Sequence, residues 1–107
     1  MEMAELALVA RRYGQHIEAA GLFRQALDFE IVAIREAEAG GRVQPTYAIL
    51  QRSAATLALD CSDLKMAERL ATIALAHNPP AEIAEELREL LRQVHAQDPS
   101  HPLQYVN

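Results

Sequence analysis

The sequence predicts an all-α fold, and three observations carry that prediction. Ala, Leu, Glu, Arg and Gln make up much of the chain, and all five are strong helix formers. Clusters of β-branched residues alternating with polar ones, the mark of half-buried strands, are absent. The apolar residues recur instead at steps of three and four, between Gly, Pro and Asn breakers. A chain of 107 residues reads as one domain. Half of its residues are apolar but only 5% are aromatic. The expected core is therefore thin and close-packed, built between small-residue helix faces.

The first helix is expected from about Ala4 to Tyr13, with Leu6, Val9 and Ala10 on one stripe. Gly14 stops it, because glycine adopts the left-handed backbone of a helix end at no steric cost. The second runs from about His16 to Ala39, and Ile17, Ala20, Phe23, Ala26/Leu27, Ile31 and Ile34 keep a helical step throughout. Gly40-Gly41 ends it, and Arg42-Val43-Gln44 forms a short loop. Pro45 suits the first turn of a third helix, where no backbone donor is needed. That helix continues to about Leu59. Asp60-Cys61-Ser62 makes a turn, and Ser62 or Asp63 caps a fourth helix carrying Leu64, Ala67, Leu70/Ala71 and Ala74/Leu75. Asn78-Pro79-Pro80 stops it. A fifth helix, about Ala81–His95, sets Ile83, Leu87, Leu90/Leu91 and Val94 against a charged opposite side. Beyond it, residues 97–107 form a breaker-rich tail.

The run from Tyr13 to Leu27 has a small turn residue, Gly14, then Ala19, an aromatic at Phe23, and Ala26-Leu27. This order resembles the tetratricopeptide repeat, a helix-turn-helix unit of about 34 residues. The tail of the pattern recurs from Ala67 to Pro79, with Ala71 in the aromatic position and Ser62 where glycine would stand. The resemblance implies two helical hairpins, about 1–39 and 45–78, closed by a capping helix at about 81–95. Together they make a repeat-like domain over residues 1–96. Ala19 and Ala67 lie 67 − 19 = 48 residues apart, so roughly 14 residues exceed the period of about 34. The excess falls in the second half of helix 2 and its Gly-Gly loop. It includes Phe29, Ile31, Val32 and Ile34, which are apolar on more than one side.

Several functional classes find little support. A net charge of −5 argues against nonspecific nucleic-acid binding, which needs a positive surface. No segment approaches the ~18 consecutive apolar residues of a membrane span. A single cysteine permits no intrachain disulfide, and no signal-peptide pattern is seen, so a cytoplasmic protein is expected. The four histidines and Cys61 show no zinc-type spacing, no loop of glycines cradles a phosphate, and no nucleophile has a base beside it. Neither a cofactor nor a metal is expected. Arg11 and His16 have the Arg-x4-His spacing of a family of small helical ribonucleases, but Gly14 divides them. That leaves a ribonuclease or toxin-like enzyme as a minor alternative.

The repeat resemblance implies that the first helix of each unit lines a concave face. Leu8, Arg11 and Arg12, then Ile49, Arg52 and Thr56, and finally Glu86 and Leu90 would face a protein or peptide partner. The carboxylate clamp of some family members is missing, since Ala4, Leu8, Thr56, Glu86 and Leu90 occupy its places. Arg11, Arg12 and Arg52 suit an acidic or extended segment. Phe29 and Val32 are candidates for self-association into a homodimer. The expected function is a noncatalytic protein-interaction or self-assembling scaffold module. A regulatory domain of, or partner to, a larger protein is the alternative.

Overall fold

Five helices carry nearly all of the described chain: α1 (Met3–Arg12), α2 (His16–Ala39), α3 (Thr46–Asp60), α4 (Leu64–Ala76) and α5 (Ala81–Gln97). The computed structural model describes residues 3–12 and 16–98, without the side chains of Ala10, His16 and Ile17. Among these residues there is no strand, and no helix is long and apolar enough to cross a membrane. The expected stop at Gly14 and the apolar tail residues Leu103, Tyr105 and Val106 lie outside the described residues.

Helices adjacent in sequence pack against each other, and α5 also closes over α3. The molecule measures 43 × 39 × 20 Å. A 20 Å thickness fits two helix layers, whose axes lie about 8–10 Å apart. Alanine makes so thin a body possible. Ala54, Ala55, Ala58, Ala67, Ala71 and Ala74 are inaccessible to solvent, and such small side chains let α3 and α4 approach closely. Phe23, Leu27, Tyr47, Leu87 and Val94 fill the wider gaps. α5 buries Ile83, Leu87, Leu90 and Val94 while its glutamates stay exposed, the one-sided pattern expected of it.

The helix stops are built from backbone hydrogen bonds. At the end of α2, Arg42 N–H reaches Ala37 C=O (2.9 Å) and Gly41 N–H reaches Glu38 C=O (3.2 Å). Gly41 takes φ +96°, which an L side chain rarely tolerates. α3 ends in the same pair of bonds, Asp63 N–H to Ala58 C=O and Ser62 N–H to Leu59 C=O, both 2.9 Å. There Ser62 holds φ +60° where glycine would be unstrained. Asp63 then serves α4 at once, its Oδ1 accepting from Met66 N–H at 3.2 Å. Of the two expected caps it is Asp63 that acts, because Ser62 is committed to the left-handed turn.

The start of α3 departs from the sequence reading. Pro45 lies one residue before the helix, its carbonyl accepting from Ile49 N–H, and the Gln44–Pro45 peptide is cis. The side-chain cap comes from Gln44, expected only as loop: Oε1 accepts from Ala48 N–H (3.0 Å) and Nε2 donates to the His77 carbonyl (2.9 Å). One amide thus caps α3 and ties it to the end of α4.

Candidate protein-binding groove

α5 runs alongside α3, and the two leave an open groove of about 670 Å³ between them. Arg52, Thr56 and Leu59, from successive turns of α3, form one wall. Glu82, Glu85, Glu86 and Glu89 of α5 form the other, with Leu90 below and Arg92 and Gln93 at one end. Leu59 and Leu90 give an apolar floor. The helical step that buries Ile83, Leu87 and Leu90 puts the acids on the rim.

The cations of the groove are already engaged. Arg52 Nη1 donates to both Glu86 carboxylate oxygens, at 3.3 and 3.2 Å. Arg92 Nε donates to Glu89 Oε2 at 2.8 Å and Nη2 to Glu85 Oε1 at 3.2 Å, while Arg88 Nη1 reaches Glu85 Oε2 at 3.4 Å. The hydrogen bond from Arg92 is the main cause holding the Glu85 carboxyl below its ordinary pKa. The bond to Glu89 is the main cause raising Arg92. Four glutamates and two arginines line the groove, a net charge of −2. Glu82 is in no ion pair among the described residues.

Of the residues expected on a concave face, Arg52, Thr56, Glu86 and Leu90 come together here. Leu8 and Arg12 are exposed on α1 and Ile49 on α3, and none of the three lines the groove. Arg11 turns to a second recess of about 220 Å³, which it shares with Phe23, Asp60, Cys61 and Ser62. Its guanidinium carbon sits 4.5 Å from the Phe23 ring centre and its Nη2 lies 3.6 Å from Asp60 Oδ1. Burial pushes the Asp60 carboxyl above its ordinary pKa, with Arg11 opposing. Burial likewise raises the Cys61 thiol, so the reactive thiolate is disfavoured. Arg11 is thus held by Asp60, and the side chain of His16, its expected partner in a ribonuclease pair, lies outside the described residues.

The self-association candidates lie elsewhere. Phe29 is 66% and Val32 52% exposed, whereas Ile34 on the far side of α2 is 5% exposed. With Met3, Gln25 and Asp28, Phe29 and Val32 line a recess of about 290 Å³. No group of His, Cys, Asp and Glu among the described residues is arranged to hold a metal ion. His77 Nδ1 meets the Ile73 carbonyl at 2.9 Å, and His95 Nε2 meets Glu68 Oε2 at 3.1 Å.

Glu86 was expected on the binding face, but Glu82, Glu85 and Glu89 read from the sequence only as the charged side of α5, and it is their placement opposite α3 that turns them into a groove wall. Sequence reasoning also missed Gln51, 1% exposed, whose Nε2 donates to the Tyr47 hydroxyl at 2.8 Å; that hydroxyl donates to Glu38 Oε2 at 3.0 Å. The i, i+4 spacing of Tyr47 and Gln51 was the available signal. Comparison of the chain with protein-family models, with curated proteins and with solved structures finds no match.

Proposed function

We propose that this protein is a noncatalytic interaction module whose α3–α5 groove binds a basic segment of a partner protein, with an apolar side chain anchored on Leu59 and Leu90. The observation that carries this reading is the charge of the groove: an apolar floor beneath a rim of net −2, with both arginines engaged by glutamates. An acidic segment, which Arg11, Arg12 and Arg52 suggested from sequence, fits this rim poorly. Complementary charge steers encounter and penalises partners of the wrong sign.

The helical-repeat reading supports a binding role. The order of two hairpins, α1–α2 and α3–α4, followed by an α5 that closes over the second, is what such a repeat would produce. The ribonuclease alternative has less support, since Arg11 is paired with Asp60. Purified protein is expected to leave RNA intact. Cleavage that disappears in both Arg11→Ala and His16→Ala would reverse that judgement.

Selection from a random peptide display library tests the groove. Wild-type protein should enrich Lys/Arg-rich peptides carrying a Leu, Ile or Phe anchor, and the Glu82→Lys/Glu89→Lys variant should lose that enrichment while keeping its helices. Enrichment of acidic peptides, or equal enrichment by both proteins, overturns the proposal.

A further inference from the structure

We infer that α2 pairs antiparallel with α2 of a second copy across a twofold axis between residues 31 and 32, Asp28 of each copy facing the partner's Arg35. This inference is independent of the groove on α3 and α5, and the two surfaces share no residue.

Phe29 and Val32 are the large exposed apolar residues of α2, and at one turn's spacing they share a helix face with Gln25 and Glu36. Asp28 and Arg35 are seven residues apart, so they lie two turns apart along one flank of that stripe. Both are exposed, and neither is in an ion pair among the described residues. Their order along the helix selects the arrangement. In an antiparallel helix pair, a given flank of one helix runs beside the same flank of the other. A twofold midway between 28 and 35 therefore sets each Asp28 against an Arg35, giving two ion pairs. A parallel pair would put like residues at the same height and bring no such match.

The same register places Val32 beside the axis, against its own copy. Phe29, one turn away, packs between the partner's Val32 and the stem of the partner's Glu36. The partner's Arg35 arrives at the recess of about 290 Å³ lined by Met3, Gln25, Asp28, Phe29 and Val32. That recess offers apolar walls for the arginine stem and one carboxylate for its head, the combination an arginine side chain fits. A twofold pairing satisfies both copies with one patch.

The test is a charge swap followed by mixing, with mass measured by light scattering on the full chain. At about 100 μM, a concentration chosen because dimer population follows mass action, wild type should be a dimer. Asp28→Arg and Arg35→Asp should each weaken dimerisation roughly tenfold or more, by placing like charges opposite each other. An equimolar mixture of the two variants should recover a dimer, because a chain carrying Asp28→Arg then meets a chain carrying Arg35→Asp with opposite charges at both pairs. A stability defect within one chain cannot be cured by mixing.

A monomeric wild type overturns the inference; in that case the patch is covered from within, for example by residues 99–107, or serves another partner. Variants that stay dimeric alone, or that remain monomeric when mixed, also overturn it. If circular dichroism shows that either variant has lost its helices, Val32→Cys in a Cys61→Ser background replaces it. An oxidised cross-linked dimer with intact helices supports the twofold, and failure to cross-link refutes it.

Discussion

Removing one oxygen from the core, in Tyr47→Phe, probes how the α2–α3 interface is held. The Tyr47 side chain is inaccessible to solvent, and its hydroxyl both donates to Glu38 Oε2 and accepts from Gln51 Nε2. The His77 ring stands edge-on to the Tyr47 ring at 5.5 Å, a contact phenylalanine keeps. The change therefore isolates the two hydrogen bonds. Glu38 is half-buried and recovers water, so its bond is worth about 0.5–1.5 kcal/mol. Gln51 is 1% exposed and cannot recover water, so its stranded amide costs about 1–3 kcal/mol. The whole effect, about 1.5–4.5 kcal/mol, is a large share of the roughly 5–15 kcal/mol by which a domain is typically stable. Urea melts at about 25 °C should show it as a lower midpoint with an unchanged slope. The same change in a Gln51→Leu background should cost about 1 kcal/mol, since no amide is left stranded, and the difference is a coupling energy. Equal costs in both backgrounds would refute the argument, because Gln51 would then not depend on the hydroxyl.

Phe23→Ala should lose about 3–5 kcal/mol in the same melts, as large-to-small changes at fully packed sites do; a loss below about 1 kcal/mol would mean that the ring is not core. Ser62→Gly should gain about 0.5–1 kcal/mol, because it relieves the left-handed strain at φ +60° and gives part of that back as backbone entropy; a loss would place the strain elsewhere. Burial holds the folded Asp60 carboxyl above its ordinary value of 3.8, so the unfolded chain gives up that proton first. The stability linked to the protonated group is complete below 3.8 and disappears as pH rises through the raised folded value. Asp60→Asn should therefore be more stable than wild type at neutral pH, with the gain vanishing in acid; a gain independent of pH would point to packing instead.

The helix boundaries show how far local chemistry reaches. Gly40-Gly41 stops α2, Asp63 caps α4 and Asn78-Pro79-Pro80 follows its end, all where the sequence places them, because a stop or a cap depends on φ and on a side-chain oxygen within about three residues. The apolar face of α5 was equally legible, since a helical period carries its own direction. The cap of α3 was not. Gln44 does part of its work against the His77 carbonyl, 33 residues away, and no window around Gln44 contains that partner.

The sequence by itself determined that the described residues are all-helical, that they form five helices and which stripe of α5 is apolar, because these follow from propensity and period within each segment. It also marked Phe29 and Val32 as apolar residues on the less protected side of an overlong helix. It misjudged α1, where the expected stripe residues Leu6 and Val9 are exposed and Ala7 is buried, because in so short a helix only packing on α2 chooses the face. Only the tertiary structure decided which charges meet. Arg11 reaches Asp60 and Arg52 reaches Glu86 because the packing of α1 and α5 brings them within 3.6 and 3.2 Å. Tyr47 and Gln51, polar at one end, go inside because the packing of α2 on α3 lets the Tyr47 hydroxyl accept from Gln51 Nε2 and donate to Glu38. The groove is acidic for the same reason: the sign of a surface depends on which side chains from separate helices share it, and a Coulomb interaction between them exists only once packing has set the distance.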